Sequence, residues 1–175
     1  MKLHPLVLSA LAGLVLAGCD QPKPRHLPLD PMALSPAAAG APKEGLTHGL
    51  ERRPEAGGLS LDDVGQAHDP MNRQPAVTSA SAAIMFDGFG FDPVAKAPAM
   101  GVDVVVDGKL YGAAYGQPRQ DVADYFKQPA LARSGFTVTL PPGTLSVGAH
   151  TVVVRVVAAD GSGYFESPPV AFQVK

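Results

Sequence analysis

From residue 82 onward, apolar side chains recur at every second position in short runs bounded by turn residues. Val102, Val104 and Val106 share one face, with Asp103 opposite. Asp107-Gly108 follows, then Lys109-Leu110-Tyr111, which reads as strand, two-residue hairpin turn and strand. Phe136, Val138 and Leu140 alternate with Thr137 and Thr139 until Pro141-Pro142-Gly143 ends the run. Val152, Val154 and Val156 alternate next, Asp160-Gly161-Ser162-Gly163 turns the chain, and Val170, Phe172 and Val174 close it. An earlier strand near 82–91 points Ile84 and Phe86 inward. About seven short strands with period-2 burial predict an all-β fold, an antiparallel two-sheet sandwich over 79–175. One segment breaks the pattern, 115–133. Within it, Val122, Tyr125 and Phe126 fall at helical spacing and predict a short helix over 120–126 that caps an end or edge of the sandwich.

The first part of the chain has a different texture. Nine of the 18 prolines lie between 20 and 78, among Ala, Gly and mixed charge, and apolar residues there occur singly. Such a stretch buries too little apolar surface to offset its ordering entropy, so a disordered linker is expected over 19–78. About sixty residues of flexible coil span roughly 40–45 Å. Ser60 with Asp63 three residues on is a weak capping pattern, so 60–64 is expected as a transient helix or plain coil.

At the start, Met1-Lys2-Leu3-His4 is charged and 5–16 is apolar apart from Ser9. That is the plan of a secretory signal, over 1–18, and it is short for a bilayer span. It ends Leu16-Ala17-Gly18-Cys19, which resembles the bacterial lipoprotein signal: an aliphatic residue, two small residues, then cysteine. The resemblance implies that Cys19, the single cysteine of the chain, takes a thioether-linked diacylglycerol and an N-acyl chain and becomes the mature N-terminus. More than one lipid chain anchors stably. Asp20 resembles the sorting residue that retains lipoproteins in the inner membrane, facing the periplasm; outer-membrane placement is the alternative.

A second resemblance runs through the C-terminal part. It is carried by Gly88-Phe89-Gly90-Phe91-Asp92-Pro93, Val104-Val105-Val106-Asp107-Gly108, Tyr115-Gly116-Gln117-Pro118-Arg119-Gln120-Asp121-Val122, Ser134-Gly135-Phe136 and Gly148-Ala149-His150-Thr151. In this order they resemble small immunoglobulin-like modules of bacterial envelope proteins, some of them appended to membrane glycosyltransferases. Phe89 stands where that pattern has tryptophan. The resemblance implies a non-catalytic module whose partner is another envelope protein or, alternatively, a polysaccharide. A structural envelope lipoprotein without a specific ligand is a third reading.

Charge and motifs narrow the rest. A net charge of −2 provides no basic field for nucleic acid. Gly161-Ser162-Gly163 reads as a turn rather than a nucleophile elbow, and the chain has no phosphate loop, zinc spacing or dinucleotide fingerprint. No enzyme activity, metal or cofactor beyond the lipid is expected. Tyr111, Tyr115 and Tyr125 are the candidate stacking surface, and Arg119 with Asp121 the candidate polar corner. The structural alternative for Arg119 is a loop staple to Asp92 or Asp121, and for the tyrosines edge packing. Asp87, Asp92, Asp103 and Asp107 lack calcium-loop spacing. His26, His48 and His68 read as solvated loop residues, and His150 as structural.

Overall fold

The computed structural model describes residues 42–175 apart from 57 and 74. Thirteen strands are present among them: β1 (Glu51–Arg52), β2 (Gly58–Val64), β3 (Ala67–His68), β4 (Ala76–Thr78), β5 (Ile84–Asp92), β6 (Ala97–Pro98), β7 (Gly101–Val106), β8 (Lys109–Gly112), β9 (Ala114–Gln117), β10 (Gly135–Leu140), β11 (Gly148–Val157), β12 (Gly163–Glu166) and β13 (Val170–Val174). Helix α1 (Gln120–Phe126) and a 3-10 turn (Pro129–Arg133) separate β9 from β10.

The strands form two sheets. In the first, β11 is central, with β7 and then β8 on one side and β13 and β12 on the other; β4 and β1 add parallel to β13 and β12. In the second the order is β3-β2-β5-β10-β9, with β6 against the end of β5. All remaining pairs are antiparallel. Opposed pairs such as Val104–Val154 and Val102–Val156 put whole rows of valine on one inner face. Phe86, Phe136, Val138 and Leu140 supply the facing row from the second sheet. Each fully buried side chain of this size contributes about 1.5–3 kcal/mol, so period-2 patterning selects this packing over any helical one.

Local chemistry sets the punctuation. Asp107 and Gly108 both have positive φ, 49° and 83°, as a two-residue hairpin with the strands' own twist requires. The Asp107 carboxylate also accepts from the Thr151 backbone N–H at 2.9 Å and faces His150 Nδ1 at 2.6 Å, tying the turn to β11. His150 Nε2 lies 2.8 Å from the Ser146 carbonyl. An acceptor faces each ring nitrogen, which favours the charged form of His150; the Asp107 hydrogen bond raises its pKa against the effect of burial. His150 is therefore structural, as its position after a glycine turn implies.

The domain starts earlier than residue 79. Residues 58–64, within the expected linker and with 60–64 expected as a transient helix or plain coil, form β2 and pair with β5 from Gly58 opposite Phe91 to Val64 opposite Phe86. A register shift between Leu61 and Asp63 marks a bulge at Asp62. That extra residue breaks the alternation, which is why the run does not look like a strand in sequence. The stretch 76–78 adds as β4, and 51–52 as β1. The linker expected over 19–78 therefore ends before Lys43, which bridges Gly112 at the edge of β8. Its first part, with the signal, Cys19 and Asp20, lies outside the described residues.

Asp103 shows the consequence. It faces away from the valine row, as alternation requires, yet it is 0% exposed. Residues 43–47 cross the outer face of β7 and β8 and close over it. Leu46 N–H, Thr47 N–H and Thr47 Oγ1 donate to its carboxylate at 2.9, 2.7 and 2.8 Å. At Gly45 a Cβ would lie 2.6 Å from Leu110 Cβ, so the strap approaches the sheet as closely as glycine allows.

Candidate functional site

Helix α1 and the 3-10 turn that follows lie on the outer face of the second sheet, over the end of β5. The helix spans Gln120–Phe126, matching the helical spacing of its sequence, and stops at Lys127, whose left-handed φ of 55° closes it. Val122, Ala123 and Leu131 pack on Phe91 in a small second core, with Phe89 half-buried at its margin. Tyr125, which shares the helical spacing of Val122, points out and is 80% exposed.

A groove of about 490 Å³ opens between this insert and the sheet. Its walls are apolar: Leu59, Phe89, Phe91, Pro93, Phe126 and Leu131. Lys96 and Gln128 are the polar side chains lining it. Phe89 and Phe91 stack with centroids 6.3 Å apart, and Phe126 meets Phe91 edge-on at 4.9 Å. Tyr125 in turn meets Phe126 edge-on at 4.9 Å. A continuous aromatic run thus leads from the buried floor to solvent. Gly58 lines the groove because a Cβ there would sit 2.5 Å from the Phe91 ring.

Arg119 staples the insert to the sheet. Its Nε and Nη2 donate to Asp121 at 2.9 and 2.7 Å, and Nη1 donates to Asp62 Oδ2 at 2.7 Å. The guanidinium lies 5.1 Å from the Phe89 ring centroid. The Asp121 hydrogen bond raises the Arg119 pKa and correspondingly holds Asp121 below its usual range. Of the partners read from sequence, Asp121 is found. Asp92 instead accepts from Val94, Ala95 and Ala159 N–H groups, each at 2.9 Å. Burial raises the Asp92 pKa, but these N–H groups outweigh it and hold the carboxyl low. Asp62 gives no such signal in sequence, because the bulged strand that carries it looks like linker there.

Arg119→Ala is expected to lower the thermal midpoint by several degrees. The Asp121 pair is largely exposed and worth little; the Asp62 bond and the contact with Phe89 carry about 1–2 kcal/mol together. An unchanged midpoint in calorimetry removes the staple from the account.

Beside the staple lies a carboxylate pair. Asp63 of β2 stands opposite Asp87 of β5. Asp63 also contacts His68 Nδ1, and His68 is otherwise exposed. Asp87 is partly buried, and its Oδ1 has no hydrogen-bond partner among the described residues. Burial, then the Asp63 charge, pushes its pKa up to about 6. The folded carboxyl therefore keeps its proton between 3.8 and about 6, where the unfolded one has lost it. Stability from this group is full below that window and falls as pH rises through it. The full shift corresponds to about 3 kcal/mol, which solvent screening reduces to about 1–2 kcal/mol. Asp87→Asn is expected to stabilise the fold by that amount at pH 7.5 and to flatten its pH dependence between 4 and 6, read by urea denaturation at several pH values. A variant no more stable than the parent at pH 7.5 argues against the raised Asp87 carboxyl.

The candidate tyrosines do not form one surface. Tyr111 is 5% exposed in the main core. Tyr115 is half-buried; its hydroxyl donates to Gly90 O at 2.8 Å and accepts from Ala99 N–H at 2.9 Å. Only Tyr125 presents its ring to solvent. Asp87, Asp92, Asp103 and Asp107 are likewise apart, and no group of metal-ligating side chains occurs among the described residues. Phe126, Leu131 and Lys96, which help to make the groove, carried no signal in sequence beyond the helical spacing of 120–126.

No family model matches the chain, and no curated protein matches it. Among solved structures it is similar to the endo-β-1,4-mannanase from Thermotoga petrophila, with 10% identity and a TM-score of 0.42 over 70% of this chain and 20% of that one. The chain spans about a fifth of that protein's length.

Proposed function

We propose that this chain is a membrane-anchored envelope lipoprotein whose β-sandwich is a non-catalytic protein-interaction module, docking through the groove beneath α1. The observation that carries the docking role is the aromatic run from buried Phe91 through Phe126 to exposed Tyr125, beside a cleft lined mainly by apolar side chains. Aromatic anchors of this kind dominate the energy of protein interfaces. The raised carboxyl of Asp87 does not line the groove, which favours a binding role over acid–base chemistry there. The lipid anchor rests on Leu16-Ala17-Gly18-Cys19, and inner-membrane placement facing the periplasm on Asp20.

Two measurements test the reading. Intact mass of the protein recovered from membranes should show a mature N-terminus at Cys19 carrying lipid, lost in Cys19→Ser. An unmodified soluble chain refutes the anchor. A photo-crosslinking residue placed at position 125 should join the protein to one defined envelope protein, and Phe126→Asp should abolish that adduct. An adduct indifferent to Phe126→Asp refutes docking through the groove.

A further inference from the structure

The groove adjoins an open sheet edge. β3 covers β2 only at Asp63 and Val64. From Gly58 to Ser60, β2 has β5 on one side and no strand among the described residues on the other. Leu61 N–H points away from β5, toward Met71 Sδ at 3.4 Å. In an antiparallel ladder alternate residues point their N–H and C=O the same way, so those of Leu59 face the open side. An uncovered edge of this kind is a template for another extended chain.

The side-chain arrangement fits the same occupant. The Phe91 ring lies across Gly58 and fills the space a Cβ would take, so a residue added opposite Gly58 on the open side sets its side chain against the edge of that ring. Leu131 and Phe126 close around that position, so it takes an aliphatic or aromatic side chain. Arg119 is saturated by Asp62 and Asp121. Lys96 lines the groove and makes no ion pair among the described residues, and its left-handed φ of 51° fixes it in the turn beyond β5. A cation on an apolar wall calls for a carboxylate on the partner, beside its apolar anchor.

We infer that the groove receives an extended, acidic segment of a partner protein, added as a strand to the edge of β2 with an apolar side chain against the Phe91 ring and a carboxylate toward Lys96. This inference rests on the interaction-module reading and names the partner's chemistry.

Synthetic octapeptides test it on the full chain: alternating Thr and Val, a central Phe, and Asp, Asn or Lys two residues to either side. Binding is followed by fluorescence anisotropy. The Asp peptides should bind at least about tenfold more tightly than the Lys peptides, and Lys96→Glu should invert that order. N-methylation of the amides facing β2 should weaken binding by about tenfold or more, because it removes the ladder bonds. Charge-indifferent binding overturns the carboxylate assignment, and indifference to N-methylation overturns strand addition. If no peptide binds while crosslinking from position 125 still captures its partner, the acidic strand is wrong and docking stands; if neither occurs, both fall. Concentration-dependent self-association that Phe126→Asp abolishes would assign the groove to a second copy of this chain instead.

Discussion

A fragment beginning at Ser79 is expected not to fold, whereas one beginning at Pro42 folds cooperatively. The shorter piece contains every segment that looks like a strand in sequence. It lacks β2, which covers one side of β5 and places Leu61 and Val64, 1% and 0% exposed, in the main core. Losing those two side chains alone removes about 3–6 kcal/mol. It also lacks β4, with buried Ala76, and the strap over Asp103. Domains of this size have about 5–15 kcal/mol of net stability, so the combined loss exceeds what is available. Dispersion of amide resonances and a cooperative thermal transition would report folding. A cooperative transition in the Ser79 fragment would show that the earlier strands are accessories.

The second large effect is expected at Asp103. Asp103→Ala leaves Thr47 N–H and Oγ1, both buried, without their acceptor, and Leu46 N–H without its own. Each stranded donor costs about 1–3 kcal/mol, with the partly exposed Leu46 N–H at the low end because water can reach it. A loss of about 3–5 kcal/mol follows, or a fall of roughly 10 °C or more in the thermal midpoint. Asp103→Asn keeps one acceptor oxygen and should lose about half as much. Hydrogen exchange separates the local from the global consequence: residues 43–50 should lose protection in Asp103→Ala before the central strands do. A loss below about 1 kcal/mol would mean that apolar contacts, such as Gly45 against Leu110, hold the strap instead.

The local features of this protein were legible in its sequence. Alternating valines identify β7 and β11, Asp107-Gly108 identifies the hairpin, and helical spacing identifies α1 over Gln120–Phe126, because each is set by neighbours within a few residues. The all-β, two-sheet class follows from these alone. What sequence could not reveal was settled by contacts between distant segments. The bulge at Asp62 hides β2, since one extra residue moves every later side chain to the other face. Asp103 alternates as a surface residue should and is buried only because a strap from about 56 residues earlier closes over it. The aromatic groove needs Phe89 and Phe91 from β5, Phe126 from α1 and the missing side chain of Gly58, three places that only the folded chain brings together. Period-2 patterning states which face of a strand is apolar; which segment arrives to cover the opposite face is a tertiary event, decided by the total area and hydrogen bonds the whole chain can satisfy.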